Sequence, residues 1–427
     1  MSDQPSPFLA LQHRNFRLLW AGQGISIAGT MMQSAAVLWH VSLLVPSDQR
    51  GLALGLVGLA RVVPILLCSL FSGVVADALD RRKVLLLTQS TLALTALVLA
   101  LITFGGLDTV WPIYVLSALS AAVASFDGPA RQSFFPSLVP RQHLPNAISL
   151  NTIIFQFGSV LGPALAGLLI AGAGVGWVYL VNAISFLGVI VALLLMRGAP
   201  RRDGAEKREV SLRAAAEGLR YVFSEPLIRS SMLLDFFATF FSSATALLPI
   251  FAQDILQVGP AAYGLLVAAP SIGALATSAA MVRLVDRIVH RGRVLLWAVA
   301  GYGLATVVFG LSQSFWLTFT CLALAGATDT VSVVLRNLTR QLATPDHLRG
   351  RMTSVNMIFF LGGPQLGELE AGLVAQAFGA PVSVVTGGIG CLIATGWIAA
   401  KTPQLRHYRR EGPALVAPLP QPADVGL

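Results

Sequence analysis

Gly73-Val-Val-Ala-Asp77-Ala-Leu-Asp80-Arg81-Arg82-Lys83 stands between two long apolar runs, residues 52–76 before it and 84–104 after it. About 20 apolar residues make a helix long enough to cross a bilayer. Lys and Arg between two such helices mark a cytoplasmic turn. The stretch therefore reads as a membrane hairpin, helix to basic loop to helix.

Working outward, the same unit recurs along the chain. Further apolar runs cover residues 16–44, 110–126, 147–173, 177–196, 230–251, 263–285, 294–311, 315–334, 352–378 and 381–400, which makes twelve. With residue 1 placed inside, all of the 29 Lys and Arg residues except Arg50 and Arg61 fall at the cytoplasmic ends. A wrong helix count would scatter them, so both chain ends are expected on the cytoplasmic side of a bacterial inner membrane. The first 15 residues are polar, without a cleavable signal pattern, which leaves the first helix as its own insertion signal.

Composition agrees. The 427 residues are 55% hydrophobic and 11% charged, with a mean hydropathy of +0.73; soluble domains average about 25% charged. The net charge of +9 is spread over the loop ends and does not indicate nucleic acid. Cys68, Cys321 and Cys391 lie in apolar runs without a CxxC or Cys/His cluster, so neither a disulfide framework nor a metal site is expected. No HExxH and no Gly-x-x-x-x-Gly-Lys-Ser/Thr loop occurs, and His40 is the only histidine placed in a helix; a membrane enzyme or an ATP-driven pump is disfavoured, and no cofactor is expected.

The fold expected is an all-α membrane protein. Its parts are a cytoplasmic segment (1–15), a six-helix bundle (16–196), a linker (197–229), a second six-helix bundle (230–400) and a disordered cytoplasmic tail (401–427). Within the linker, residues 211–224 place Leu212, Ala215, Leu219 and Val222 at helical spacing and read as an amphipathic helix on the membrane surface. A plain charged linker fits the same residues. The halves also repeat. Shifted by 205 positions, Asn151 lands on Asn356, Gly158 on Gly363, Gly162 on Gly367, Gly167 on Gly372, Pro140 on Pro345 and Arg131 on Arg336. Shifted by 209, Gly55 lands on Gly264 and Asp77 on Asp286. Duplicated halves with a site between them are a transporter plan.

The opening stretch resembles the signature loop of the major facilitator superfamily, Gly-x-x-x-Asp-Arg-x-Gly-Arg-Arg/Lys. Gly73, Asp77, Arg81 and Arg82 match, while Ala78 and Asp80 depart from the pattern. A bare positive-inside anchor would carry the same cations. The resemblance implies that Asp77, and Asp286 at the repeat position, brace the neighbouring half as conformational gates. In the fifth run, Gly158-Ser-Val-Leu-Gly162-Pro163-Ala-Leu-Ala166-Gly167 resembles the Gly-x-x-x-Gly-Pro-x-x-Gly-Gly motif of drug/proton antiporters in that superfamily, with Ala166 for one glycine. Small residues every fourth position also serve ordinary close packing. Leu366-Gly-Glu368-Leu-Glu370-Ala-Gly372, Asn15-Phe16-Arg17 and residues 140–147 resemble the enterobactin-exporter-like branch. The likeness spans residues 15–400.

In this superfamily the first, fourth, seventh and tenth helices line the cavity. Here each has a polar stripe: Gln23, Ser26, Thr30 and Gln33; Ser117, Ser120, Asp127 and Arg131; Asp235, Thr239 and Ser242; Asp329, Ser332 and Arg336. The Ser and Thr residues read as interhelical hydrogen bonds; Gln23, Gln33, Asp235 and Asp329 read as cavity lining. Ionisable groups inside membrane helices are costly and mark function. Asp235, Asp329, Glu368 and Glu370 are the proton-coupling candidates. Asp127 is expected to pair with Arg81 or Arg131. Arg61 lies about 14 Å along its helix from residue 52 at 1.5 Å per residue, a depth shared by Glu368 and Glu370, so an outer latch between them is expected. The expected activity is proton-coupled export of a hydrophobic or amphipathic small molecule of drug or siderophore type by a monomer in the lipid bilayer. Uptake, or the flipping of a lipid, is the second reading.

Overall fold

The computed structural model describes residues 8–197, 219–241, 243–345 and 348–410, apart from the side chains of 70–78, 244, 349–351, 353, 354, 357, 358, 360 and 361. These residues are helical almost throughout, without a strand among them. In lipid a backbone must satisfy its own polar groups, which helices do. The long helices are α1 (Arg14–Leu44), α2 (Arg50–Ala78), α3 (Arg81–Phe104), α4 (Val110–Phe134), α5 (Leu144–Ala173), α6 (Val175–Leu195), α7 (Pro226–Phe241), α8 (Pro260–Leu284), α9 (Arg291–Leu311), α10 (Phe315–Ala343), α11 (Arg349–Phe378) and α12 (Ala380–Lys401). Eleven spans among the described residues are long and apolar enough to cross a membrane. The remaining helix, α11, is 30 residues long.

Packing makes the duplication visible. In the first half α1 packs on α5 and α6, α2 on α4, and α3 on α4 and α6. In the second half α7 packs on α11 and α12, α8 on α10, and α9 on α10 and α12. Adding six to each helix number converts one set into the other. The contacts between halves obey the same rule, since α2 packs on α11 and α5 on α8. Among the described residues, the long helices thus form two pseudo-symmetric six-helix bundles.

Four elements differ from their sequence reading. Helices α4 and α10 run to Phe134 and Ala343, past the expected ends at 126 and 334, because Asp127, Arg131, Arg336 and Arg340 find partners and do not end the helix. The seventh span, expected as continuous over 230–251, breaks after Phe241. Short turns Ala244–Leu247 and Leu248–Ile250 and a π-helical turn Phe251–Ile255 follow. Pro249 has no amide hydrogen to continue the ladder, and the Ser243 hydroxyl donates back to the Thr239 carbonyl, a bond that bends helices. The tail, expected to be disordered from 401, is folded up to Arg410. Pro403–Arg406 is a helical turn, Leu405 is fully buried, and the Gly292 amide donates to the Tyr408 carbonyl at 3.1 Å; the tail's Pro- and Ala-rich part, 411–427, lies outside the described residues. In the linker, 198–218 is likewise outside them. Residues 219–224 are helical, with Val222 buried against Ile228, Met232, Met352 and Val355.

Candidate functional site

One end of the bundle carries the basic loops; the other, where α1 meets α2 and α7 leads into α8, is nearly neutral. In the second half, toward the basic end, four charged side chains meet. Asp235 comes from α7, and Asp329, Arg336 and Arg340 come from one face of α10, Arg336 two turns after Asp329 and Arg340 one turn after that. Arg336 Nη2 lies 2.9 Å from Asp235 Oδ1 and 3.5 Å from Asp329 Oδ1, and Arg340 Nη2 lies 3.7 Å from Asp235 Oδ2. Arg340 also donates to Asn356 Oδ1 on α11. Burial separates the two carboxylates: 8% of the Asp235 side chain is exposed against 41% of Asp329. Arg336 is fully buried, and its Nε and Nη1 lack hydrogen-bond partners, as does the Ser332 hydroxyl. Beside the cluster is a cavity of about 110 Å³ lined by Asp329, Tyr302, Thr306, Phe309, Thr245 and Cys321. Four formal charges cancel there, and protonating one carboxylate leaves a buried net positive charge.

The first half has its own centre. Asp127 on α4 accepts from Arg131 Nη2 at 2.6 Å, and from Thr88 Oγ1 and Gln89 Nε2 of α3 at 2.8 Å each. Of the two expected partners Arg131 holds it, while Arg81 donates to the Ser133 carbonyl. Arg82 donates to the Leu194 carbonyl at 3.3 Å, which ties the signature loop to α6. Gly73 and Asp77 belong to α2, but their side chains lie outside the described residues, as does Ser242. Asp286 sits in the 3-10 turn Val285–Arg287, where its carbonyl accepts from Arg410.

The α1 stripe is divided in its surroundings: Gln23 and Ser26 are buried, Gln33 is half-buried and Thr30 is exposed. Gln23 and Ser26 are 4% and 3% exposed, on the face where Gly22 and Gly29 seat α1 against Gly188 and Ser185 of α6. Gln33 accepts from Asn182 of α6 at 2.7 Å, and the Thr30 hydroxyl donates back to the Ser26 carbonyl. Small residues at Gly22 and Gly29 let α1 and α6 approach, while Thr30 is exposed. Thr239 likewise donates to the Asp235 carbonyl at 2.9 Å.

The halves are joined at the neutral end. A Cβ on Gly372 of α11 would stand 2.5 Å from the Gly55 Cα of α2, and one on Gly167 of α5 would stand 2.8 Å from the Gly264 Cα of α8. These two crossings are repeat partners: the shift of 205 carries Gly167 onto Gly372, and the shift of 209 carries Gly55 onto Gly264. Gly158 and Gly162 instead face Ile27, Ala28 and Met31 of α1. The α5 motif therefore serves two contacts, one within its bundle and one between bundles, with Pro163 buried between them. Around the crossings Arg50 pairs with Asp254 at 2.6 Å, Gln253 donates to Ser42 Oγ at 2.7 Å, and the Tyr263 hydroxyl donates to the Ala35 carbonyl at 2.9 Å. Glu368 is the carboxylate that meets α2: a Cβ on Gly58 would lie 3.1 Å from its Oε2. Arg61, one turn further, is within electrostatic reach of Glu368, yet no ion pair shorter than 4 Å joins Arg61 to Glu368 or Glu370 among the described residues. Sequence reasoning missed Arg340, Thr88, Gln89 and the Arg50–Asp254 pair. The four-residue spacing of Arg336 and Arg340, next to Asp235's expected depth, was the available signal for the first.

Comparison with known proteins gives these features a family. A model described as "Transmembrane secretion effector" matches residues 5–422. The enterobactin exporter EntS of Escherichia coli strain K12 is 29% identical over 406 residues, covering 95% of this chain and 96% of that protein. Among solved structures, a bacterial homologue of the human lysosomal transporter Spinster, inward-facing and unoccupied, superposes with a TM-score of 0.68 at 15% identity, covering 92% of this chain and 96% of that one. A bacterial homologue of the iron transporter ferroportin, inward-facing, gives 0.65 at 17% identity, covering 90% and 98%. These proteins are transporters, not enzymes.

Proposed function

Because this chain belongs to the transmembrane secretion effector family of the major facilitator superfamily, we propose that it is a secondary active exporter. It moves a hydrophobic or amphipathic small molecule, of drug or siderophore type, out across a bacterial inner membrane in exchange for protons. The observation that carries the reading is the asymmetry of the fold. Two repeat-related glycine crossings close the neutral end, while the charge cluster of Asp235, Asp329, Arg336 and Arg340 lies from mid-span toward the basic end. This asymmetry supports reading the structure as one state of an alternating-access cycle, with the basic end cytoplasmic. The EntS relative, similar along almost the whole chain, supports export of a siderophore-type cargo.

Within the charge cluster, Asp329 is the proton carrier. It is the more exposed carboxylate and the one held at longer distance by Arg336. Asp235 is the structural counter-ion that keeps Arg336 and Arg340 in place. Glu368, set against Gly58 near Arg61, responds to closure of the neutral end; Glu370 is the second acid at that depth. Gly73, Asp77, Arg81, Arg82, Asp127, Arg131 and Asp286 brace the basic end. Lipid flipping is less well supported, since a headgroup needs free cations and both Arg131 and Arg336 are paired with carboxylates.

The test is flux in proteoliposomes holding the purified monomer, with enterobactin and ethidium as probes and an imposed proton gradient. Gradient-dependent movement of either probe, lost in Asp329→Asn, is the expected result. Flux that ignores the gradient removes the antiport reading; absence of flux in an efflux-deficient host and in vesicles removes export of these cargo classes.

A further inference from the structure

His40 takes no part in the centres described above. It lies on α1 near the neutral end, 3% exposed, and both ring nitrogens are engaged. Nε2 faces Asp108 Oδ2 at 2.8 Å, and Nδ1 faces the Tyr179 hydroxyl at 3.1 Å. Asp108 stands in the connection between α3 and α4 with 23% of its side chain exposed, so the series runs from the surface inward. Tyr179 on α6 is fully buried, within electrostatic reach of Arg61 on α2 and Tyr263 on α8. Arg61 in turn is within reach of Glu368 on α11. The remaining ionisable groups around this part of α1 are already committed. Arg50 pairs with Asp254 and donates to the Ser42 carbonyl, and the α4 hydroxyl of Tyr114 donates to the Ala53 carbonyl. Residues 161–173 of α5 carry no ionisable side chain.

We propose that His40 is a proton-binding site, loaded from the neutral face through Asp108, whose charge acts on the closure between the two halves. This rests on the proton-coupled reading and gives it a place of entry. A neutral imidazole donates from one nitrogen and accepts at the other; the protonated ring donates from both. With Nε2–H on Asp108, the neutral ring accepts at Nδ1 from the Tyr179 hydroxyl. A proton arriving from water by way of the Asp108 carboxylate makes Nδ1 a donor, so the Tyr179 oxygen becomes the acceptor. Its own hydrogen must then turn away from His40, toward the interface side. No covalent bond other than to the proton changes, and the ring gains one positive charge, with Asp108 as counter-ion. That charge faces Arg61 through Tyr179 and works against keeping Arg61 between the closed halves. Acid on the neutral face therefore favours opening there.

The experiment needs no transported molecule. The full chain, with Cys68, Cys321 and Cys391 replaced by alanine, is placed in nanodiscs with spin labels at Ser47→Cys and Gly259→Cys, one in each half at the neutral end. Label separation and the nitrogen resonances of the histidines are followed over about pH 4.5 to 8.5, the range in which imidazole titrates. The expected result is one titrating ring that disappears in His40→Gln and whose midpoint falls by about one pH unit in Asp108→Asn. The separation widens over the same pH range in the parent and stays fixed in His40→Gln. Tyr179→Phe keeps the titration and loses the widening, and it reports even where the His40 variant folds poorly. A His40 ring that does not titrate, or a pH-driven widening that survives in His40→Gln, overturns the proposal. Vesicle flux without proton dependence removes the coupling reading instead, so the two failures are told apart.

Discussion

Asp235 and Asp329 bind the same guanidinium, yet their burial separates what their loss does. Removing the Asp235 charge leaves the buried Arg340 (3% exposed) without a carboxylate and the buried Arg336 (1% exposed) with the more distant Asp329 alone. Breaking a buried pair from one side costs about 3–5 kcal/mol, so Asp235→Asn is expected to lower the unfolding temperature in detergent clearly. Asp329 is 41% exposed and sits 3.5 Å from Arg336, which keeps its shorter 2.9 Å contact with Asp235 when Asp329 is neutralised. Asp329→Asn should therefore unfold near the parent temperature while losing proton-dependent flux. The opposite ranking of the two melting temperatures would exchange their roles. A third expectation concerns Asp127, where Thr88, Gln89 and Arg131 converge. Asp127→Asn keeps an acceptor for the two neutral donors but leaves Arg131 without its counter-charge. The variant should be less stable than Thr88→Val, measured in the same melt. Both aspartates were legible in the sequence because a carboxylate in an apolar run stands out. Arg340 was not, because an arginine near the end of such a run reads as a loop charge until the helix is seen to continue to Ala343.

Among the helices, the glycines separate two kinds of close approach. Gly273 and Gly326 bring α8 and α10 together within one half; a Cβ on Gly326 would meet the Pro270 carbonyl oxygen at 1.9 Å. Gly55 with Gly372, and Gly167 with Gly264, join different halves. A methyl group at the first kind of site has nowhere to go in any state, so Gly326→Ala is expected to destabilise the bundle itself. At the second kind the clash exists only while the neutral end is closed. Gly372→Ala and Gly264→Ala should thus keep the parent's melting temperature within a few degrees while widening label separations across that end. Gly172→Ala, with open space around it, is the control that moves neither quantity. Label separations unchanged from the parent in both interface variants would assign these glycines to ordinary packing. The repeat offsets relate the four interface glycines in the sequence itself, Gly167 to Gly372 and Gly55 to Gly264. What the offsets do not carry is which helix each glycine faces. Gly158, Gly162 and Gly167 share one motif, yet the first two meet α1 and the third meets α8, because the partner is set by how the bundles sit against each other. The break in α7 was hidden for a similar reason: its residues are as apolar as an unbroken span, and the interruption comes from Pro249 and a back-bonding serine.

At the scale of the whole molecule, rocking of two rigid bundles requires that the neutral end separate during each cycle. The contacts there are of two strengths. The Arg50–Asp254 pair is 2.6 Å long but sits at the rim, with 17% and 40% of the side chains exposed, so it holds the end closed by about 1 kcal/mol at most. The glycine crossings hold by shape and exclude even a methyl group. Replacing both members of the rim pair, Arg50→Cys with Asp254→Cys in a background lacking Cys68, Cys321 and Cys391, should therefore leave most of the flux intact. Bridging the two thiols with a short bismaleimide then ties α2 to the π-helical turn before α8 and holds the closed arrangement covalently. Flux is expected to fall to the level of empty vesicles once the bridge forms. Singly reacted protein, made with a monofunctional maleimide, should transport like the unbridged pair. Full flux through bridged protein would mean that substrate passes without the halves parting at this end, and the cycle built on the two glycine crossings would have to be abandoned.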